Sequence, residues 1–120
     1  MINEQLIHDW MVVYLKEKLS RSYDKVLINL ADKKENEFNG IYPDLILSNH
    51  GLVMSIIQVE TDQGITEANS ETWKGLAGKG AKLILMVPKK HKARTIDLLW
   101  HSGLADKASI GSYELNVTMP

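Results

Sequence analysis

Two apolar segments, residues 52–61 and 82–87, constrain the fold of this chain more than any other feature of its sequence. Both are rich in Val, Ile and Leu, and the second (Lys-Leu-Ile-Leu-Met-Val) lacks polar alternation, which is typical of a strand buried on both faces. About twenty residues separate them, which is the length of a crossover through a helix. The pair therefore predicts a βαβ unit with parallel strands.

The remaining elements follow from hydrophobic periodicity and turn residues. Asn49-His50-Gly51 separates two β-like segments, and because Asn and Gly tolerate positive φ, residues 43–61 are predicted to form an antiparallel hairpin. Helices are predicted at residues 2–19, 66–77 and 88–101, and further strands at residues 26–30 and 109–117. The predicted order is α-β-β-β-α-β-α-β, an α/β fold with a mixed central sheet flanked by helices. A chain of this length fits one domain, residues 1–120.

The first predicted helix has an amphipathic pattern. Its apolar residues gather on one side at about 100° per residue, with charges around the rest. These residues are Ile2, Leu6, Trp10, Val13 and Tyr14.

Composition excludes several classes of protein. Hydrophobic residues make up 44% of the chain and charged residues 24%, which supplies a core and argues against disorder. The net charge of −1 argues against indiscriminate coating of nucleic acid, although a local basic patch remains possible. The chain has no cysteine, so it has no disulfide or thiolate site. A signal peptide and a membrane-spanning run are both missing from the pattern, so we expect a cytoplasmic protein with no membrane partner.

Three polar residues of the predicted hairpin form a candidate site. Asp44 follows Pro43 at the start of the first strand, and Gln58 and Glu60 lie two residues apart near the end of the second. Residues two apart on a strand share a face and partner strands lie about 5 Å apart, so the side chains are predicted to converge. Two carboxylates at that distance repel each other unless a proton or a cation such as Mg²⁺ joins them.

Segments 40–47 (Gly-Ile-Tyr-Pro-Asp-Leu-Ile-Leu) and 56–61 (Ile-Ile-Gln-Val-Glu-Thr) resemble the PD-(D/E)XK nuclease superfamily, and the element order resembles its restriction-endonuclease-like core. In that superfamily a hairpin carries an aspartate, then an acidic residue, any residue and a lysine. Asp44 matches the aspartate, whereas Gln58 stands in the acidic place and Glu60 in the place of the lysine. A shifted alignment, with Glu60 as the acid and Asp62 in place of the lysine, is the less favoured alternative, because Asp62 lies past the apolar run.

The resemblance implies a nuclease that depends on Mg²⁺ or Mn²⁺. It makes Asp44, Gln58 and Glu60 the candidate catalytic residues and Asp44 and Glu60 the metal ligands. Many relatives place a further glutamate on the first helix, so Glu4 is an additional candidate ligand, although an acid at a helix N-terminus is also favoured by the helix dipole alone. His8 is a weaker candidate, because it lacks a partner at metal-site spacing.

The departures from the motif leave other functions open. A catalytically silent nucleic-acid-binding relative, or an interaction subunit of a larger defence or mobile-element system, would not need the missing lysine. Lys74 on the second predicted helix is the obvious replacement, but it falls on the charged side of that helix and is predicted to be solvated. Its neighbour Trp73 is predicted to serve in packing.

A basic cluster opens the last predicted helix. Cations at a helix N-terminus oppose the helix dipole, whereas the free N–H groups there attract phosphate, so a nucleic-acid backbone would relieve the arrangement. The predicted nucleic-acid-binding residues are Lys89, Lys90, Lys92 and Arg94, with DNA favoured over RNA. A solvated basic turn is the alternative interpretation. A homodimer is also predicted, since two-fold symmetry suits the antiparallel strands of a duplex.

Overall fold

The predicted elements occur in the predicted order in a computed structural model that describes residues 3–115. The helices are α1 (Glu4–Leu19), α2 (Glu67–Ala77) and α3 (Lys92–Ser102). The strands are β1 (Lys25–Ile28), β2 (Leu45–Asn49), β3 (Leu52–Val59), β4 (Lys82–Pro88) and β5 (Ala108–Tyr113). Short 3₁₀ turns lie at Asp62–Gly64 and Lys89–His91.

The strands form one mixed sheet in the order β1-β2-β3-β4-β5. The β1–β2 and β2–β3 pairs are antiparallel, whereas the β3–β4 and β4–β5 pairs are parallel. The hairpin turns at His50 (φ 53°) and Gly51 (φ 79°), both in the left-handed region. The predicted mixed sheet, its hairpin and its βαβ unit are therefore confirmed.

Each face of the sheet packs against different helices. Because successive residues on a strand point to opposite faces, Leu45 and Ile57 pack with α1, while Ile46 and Ile56 pack with α2 and α3. β4 contributes to both layers, as its unbroken apolar run predicts. The core thus has two layers, one on each face of the sheet. The carboxyl ends of β3 and β4 lie between these layers.

The predicted apolar stripe of α1 faces solvent instead of the sheet. Leu6 is 67% exposed and Trp10 52%, and Val13 and Tyr14 are also exposed. The side that packs on the sheet carries Met11, Val12 and Leu15. An amphipathic helix ordinarily buries its apolar stripe, but α1 has apolar residues on both sides, and the less obvious side is the buried one. Ile2 lies outside the described residues.

Several boundaries differ from the prediction; β2 begins at Leu45 and β3 ends at Val59, so Asp44 and Glu60 lie just outside the two strands of the hairpin. Pro88 ends β4 (φ −59°, ψ 136°) and does not open a helix, because its extended backbone continues the strand and a 3₁₀ turn precedes α3. β1 stops at Ile28, where Asn29 begins a loop that it organises with its own side chain. The last strand ends at Tyr113, and residues 116–117 of the predicted strand lie outside the described part of the chain. Within residues 3–115, no helix has the length and apolar character needed to cross a bilayer.

Candidate functional site

Asp44 is fixed just before β2 by contacts from three directions. The buried Asn29 anchors its main chain, because Asn29 N donates to Asp44 O (2.9 Å) and Asn29 Nδ2 donates to Pro43 O (2.7 Å). The side chain of Asp44 is 1% exposed. Oδ2 accepts the Val59 N–H (2.7 Å), and Oδ1 lies 3.0 Å from His8 Nε2. Each carboxylate oxygen of Asp44 therefore already has a partner within the protein.

His8 of α1 lies between two carboxylates. Its Nε2 meets Asp44, and its Nδ1 lies 2.8 Å from Asp9 Oδ1. Burial by itself would lower the pKa of His8, but the hydrogen bond and charge of Asp44, followed by those of Asp9, outweigh burial and raise this pKa overall. A neutral imidazole has only one N–H, so two carboxylate partners favour the doubly protonated ring. Asp44 thus faces a histidine whose surroundings favour the charged form of the ring.

Asp9 is held in place as well. Asp9 Oδ1 accepts the Ala31 N–H (3.0 Å) in addition to facing His8. Burial alone would raise the pKa of Asp9, but the hydrogen bond from Ala31, the hydrogen bond and charge of His8 and the charge of Lys34 together outweigh burial, so this pKa is lowered. The series Asp44–His8–Asp9 therefore ties α1 to the start of β2 and to the loop after β1.

Glu60 follows β3 and faces α2. Its backbone is held by Glu60 N donating to Met86 O (2.8 Å) and by the Tyr113 hydroxyl donating to Glu60 O (2.7 Å). Its side chain is 7% exposed, and Oε2 accepts from Trp73 Nε1 (2.7 Å) and from Asn69 Nδ2 (2.9 Å). This carboxylate is therefore joined to the helix on the face opposite α1.

Glu60 titrates near neutrality. Burial is the largest cause and raises the pKa of Glu60 to about 7, against the hydrogen bonds from Trp73 and Asn69, which lower it. The charge of Asp44 raises this pKa further and that of His8 lowers it. Asp44 and Glu60 are thus close enough to interact electrostatically, although their hydrogen-bond partners lie on opposite faces of the sheet.

The side-chain oxygen of Gln58 is buried without a hydrogen-bond partner among the described residues. Leu45 pairs with Ile57, so extending the register by one residue sets Asp44 opposite Gln58. Gln58 Oε1 is buried and accepts no hydrogen bond from the described residues. An unpaired buried amide oxygen is uncommon. Together with Glu60 Oε1, which also accepts no hydrogen bond from the described residues, it is an oxygen of the predicted site that could meet a cation.

The other predicted ligands and alternatives are engaged elsewhere. Glu4 Oε1 accepts the Gln63 N–H (3.2 Å). Asp62 contacts Lys90 Nζ (3.1 Å) and His91 Nε2 (3.2 Å), and the exposed Lys74 contacts Glu71 (3.1 Å). Among residues 3–115, no group of three or more His, Asp or Glu side chains is arranged to hold a metal ion.

The basic cluster borders a cavity of about 260 Å³ at the carboxyl ends of β3, β4 and β5. Glu4, Asp62, Lys89, Lys90 and Tyr113 line it, so charges of both signs face it. Burial, and then the charges of Asp62, Glu4 and Glu60, raise the pKa of Tyr113 to about 12, so its hydroxyl remains a donor. Ligands of open α/β sheets bind at this end of the strands, which makes the cavity a candidate binding site.

The predicted nucleic-acid-binding residues differ in how far they are neutralised. Lys90 pairs with Asp62, and Lys89 lies 4.0 Å from Glu114. Lys92 and Arg94 at the start of α3 are exposed and make no ion pair with the described residues, although Arg94 lines a second cavity together with Glu71. The positive charge of the basic cluster is therefore partly neutralised by nearby acids.

Trp73 and His8 have contacts with the two acids that the sequence did not predict. Trp73 is fully buried, as packing predicts, but its indole N–H also donates to Glu60. His8 is the only ionisable side chain that contacts Asp44 among the described residues. The sequence did contain a signal, since His8 shares a helical stripe with the buried Met11 and Leu15 and so faces the sheet. Comparisons with protein-family models, with curated proteins and with solved structures found no match to this chain.

Proposed function

We propose that this chain is a catalytically silent, nucleic-acid-binding relative of the PD-(D/E)XK nucleases, built on the restriction-endonuclease-like core. The α-β-β-β-α-β order and the mixed sheet support the fold assignment. The observation that carries the functional proposal is the state of Asp44, whose two oxygens are taken by Val59 N–H and His8. Function rests here on the site, because a fold alone does not fix an activity.

The donor set does not fit a catalytic Mg²⁺. This ion requires several oxygens in a near-octahedral arrangement and keeps some of its waters. Both Asp44 oxygens have partners within the protein and Glu60 Oε2 accepts two hydrogen bonds, so among the described residues only one carboxylate oxygen of the site, Glu60 Oε1, is left for the ion. The lysine of the motif is replaced by Glu60, and no described lysine contacts either carboxylate. We infer that both acids act structurally, Asp44 by holding α1 and Glu60 by holding α2.

Binding is assigned to the basic turn before α3. Lys89 and Lys90 are about two-thirds exposed at the mouth of the cavity, and Lys92 lies one turn further. Lysines of this kind contact phosphates without reading sequence, and their contribution falls as salt rises. DNA is the favoured ligand, in keeping with the resemblance.

The test combines binding and cleavage on the same substrates. Purified protein is titrated into labelled duplex, branched and single-stranded DNA and RNA, and binding is followed by fluorescence anisotropy at several salt concentrations. Lys89→Ala combined with Lys92→Ala should weaken binding by about tenfold and reduce the salt slope by about two. Lys33→Ala combined with Lys34→Ala removes the same charge from the loop between β1 and β2 and should leave binding unchanged. Failure of every nucleic acid to bind would refute the proposal.

A second candidate function, a weak Mg²⁺- or Mn²⁺-dependent nuclease, is favoured by the unpaired Gln58 Oε1. An ion bound there would supply charge neutralisation at the scissile phosphate and activation of water. For Asp44 to take part, the His8 side chain would first have to leave it. Cleavage that requires the metal, stops with chelator and disappears in both Asp44→Ala and Glu60→Ala would establish this second function instead of the silent one.

A further inference from the structure

The outer stripe of α1, defined as Leu6, Trp10, Val13 and Tyr14, is an apolar surface on the solvent side of the molecule. Trp10 and Tyr14 stack on each other with ring centroids 5.5 Å apart and planes 14° apart. Leu6, Trp10 and Val13 follow the four-three spacing of residues in the seam between two packed helices. The stripe therefore has the pattern of a helix that packs on both sides.

The area of the stripe suits the centre of a protein interface. Ordinary side-chain areas and the exposed fractions of the four residues give roughly 400–500 Å² of accessible apolar surface. A stable interface buries about 800 Å² on each partner, with an apolar centre and a polar rim. The stripe supplies about half of that area.

A groove beside the stripe extends the surface. It has a volume of about 310 Å³ and separates Trp10, Tyr14 and Lys18 of α1 from Tyr113 and Leu115 at the end of β5. Leu115 is itself exposed. A side chain from a partner helix that lies on the stripe would enter this groove.

The charges beside the stripe complement a second copy of the same helix. Asp9 and Lys16 lie seven residues apart on one flank of α1. When two α1 helices cross antiparallel about a two-fold axis near residues 12–13, Asp9 of each helix comes level with the partner's Lys16. One axis thus creates two opposite-charge pairs. Lys16 makes no ion pair with the described residues of its own chain, whereas Asp9 also contacts His8 of its own chain and is 27% exposed.

A nucleic acid fits the same surface less well. Bases can stack on aromatic side chains, but Trp10 and Tyr14 each have one face covered by the other ring, and Leu6 and Val13 are aliphatic. Asp9 and Glu17 would repel the phosphate backbone.

We propose that the outer stripe and the adjoining groove form a two-fold symmetric interface with a second copy of this chain, with α1 packed antiparallel on α1 of the partner. The proposal locates the predicted homodimer on the face opposite α2 and α3. It holds whether or not the protein binds nucleic acid.

Sedimentation equilibrium over roughly 1–200 µM protein tests the interface and should give a monomer–dimer equilibrium with a Kd in the micromolar range. Trp10→Glu should raise this Kd by about 100-fold or more, since a central aromatic residue carries a large share of interface energy. Trp100→Glu makes the same change at an exposed tryptophan of α3 and should leave the Kd unchanged. Circular dichroism verifies that each variant is folded.

Two further variants test the geometry. Lys16→Glu sets like charges opposite Asp9 and should weaken the dimer by about tenfold, less so at high salt. Because the chain has no cysteine, Val13→Cys can be oxidised to a single intermolecular disulfide near the two-fold axis, whereas Thr72→Cys on α2 should remain unlinked.

Three results would overturn the proposal. The first is a wild-type protein that stays monomeric at the highest concentration. The second is a dimer that Trp10→Glu does not weaken. The third is a monomer that binds single-stranded DNA through Trp10, which would assign the stripe to nucleic acid.

Discussion

Replacing Glu60 by glutamine should change how the free energy of unfolding depends on pH. Glutamine keeps the shape of the side chain and an oxygen for the Trp73 and Asn69 donors, but it cannot ionise. In the wild-type protein, burial raises the pKa of Glu60 from an ordinary 4.5 to about 7. The folded protein therefore binds this proton more tightly than the unfolded chain does, and Glu60→Gln removes the difference.

The sign and size follow from those two pKa values. The stabilisation from the Glu60 proton is complete below pH 4.5, decreases as the pH rises and is lost above about pH 7. At about 1.4 kcal/mol for each tenfold change in protonation, the loss amounts to about 3 kcal/mol. Glu60 is 7% exposed, so little of this is screened by solvent. Wild type and Glu60→Gln should thus be similar at pH 4.5, and the variant should be the more stable by up to about 3 kcal/mol at pH 8.5.

Urea unfolding at pH values between 4.5 and 8.5 measures the difference between the two proteins. His8 also has a raised pKa and loses its stabilising contribution as the pH rises, but it is present in both proteins, so only the part that arises from its electrostatic interaction with Glu60 differs between them. Glu37→Gln removes one negative charge from the exposed loop and is the control for net charge. A wild-type profile that runs parallel to that of Glu60→Gln would refute the assignment of a raised pKa to Glu60.

Three further substitutions probe the same framework. Trp73→Phe removes the indole donor to Glu60 and should lower the free energy of unfolding by about 1–3 kcal/mol, more at pH 8 than at pH 5, as measured by urea titration. Asp44→Asn should lower the pKa of His8, which NMR titration of the imidazole measures; an unchanged pKa would contradict the paired state of the ring. Leu85→Ala should destabilise the fully buried core by about 2–5 kcal/mol at any pH in this range, and a strongly pH-dependent loss would argue against simple cavity formation.

Elements with strong local signals were predictable from the sequence. The hairpin was encoded by a turn that needs positive φ, and the parallel pair by the length of the crossover and the apolar run of β4. Pro88 misled the helix boundary, because proline is equally suited to the first turn of a helix and to the end of a strand. The sequence around Pro88 does not distinguish a strand end from a helix start, because the 3₁₀ turn that follows it was not predicted.

The orientation of α1 was beyond local pattern. Its aromatic residues make the outer stripe the more hydrophobic one, yet Met11, Val12 and Leu15 fit the shape of the sheet and are buried. Burial depends on what the opposing surface accepts, which a helical wheel does not contain. The exposure of Trp10 is the direct consequence.

The sequence predicted which polar residues belong to the candidate site but not which side chains contact them. The sequence identified Asp44, Gln58 and Glu60, and the register brings them near one another. It did not reveal that His8 and Trp73 contact the two acids, because these contacts join helices on opposite faces of the sheet. Contacts between residues distant in sequence are decided by the fold and cannot be read from spacing.

The hydrogen bond from Tyr113 to the Glu60 carbonyl has a consequence for the order in which the protein folds. The strands lie in the sheet in the same order as in the chain, so each new strand can add to a finished edge as it is synthesised. Tyr113, however, belongs to the last strand, and His8 belongs to the first helix. The hydrogen bonds around the two acids are therefore incomplete until both ends of the described chain have docked. The Glu60 amide donates to Met86 O, so its slow hydrogen exchange would report pairing with β4, whereas protection of the amides of β5 would report that the last described strand has docked.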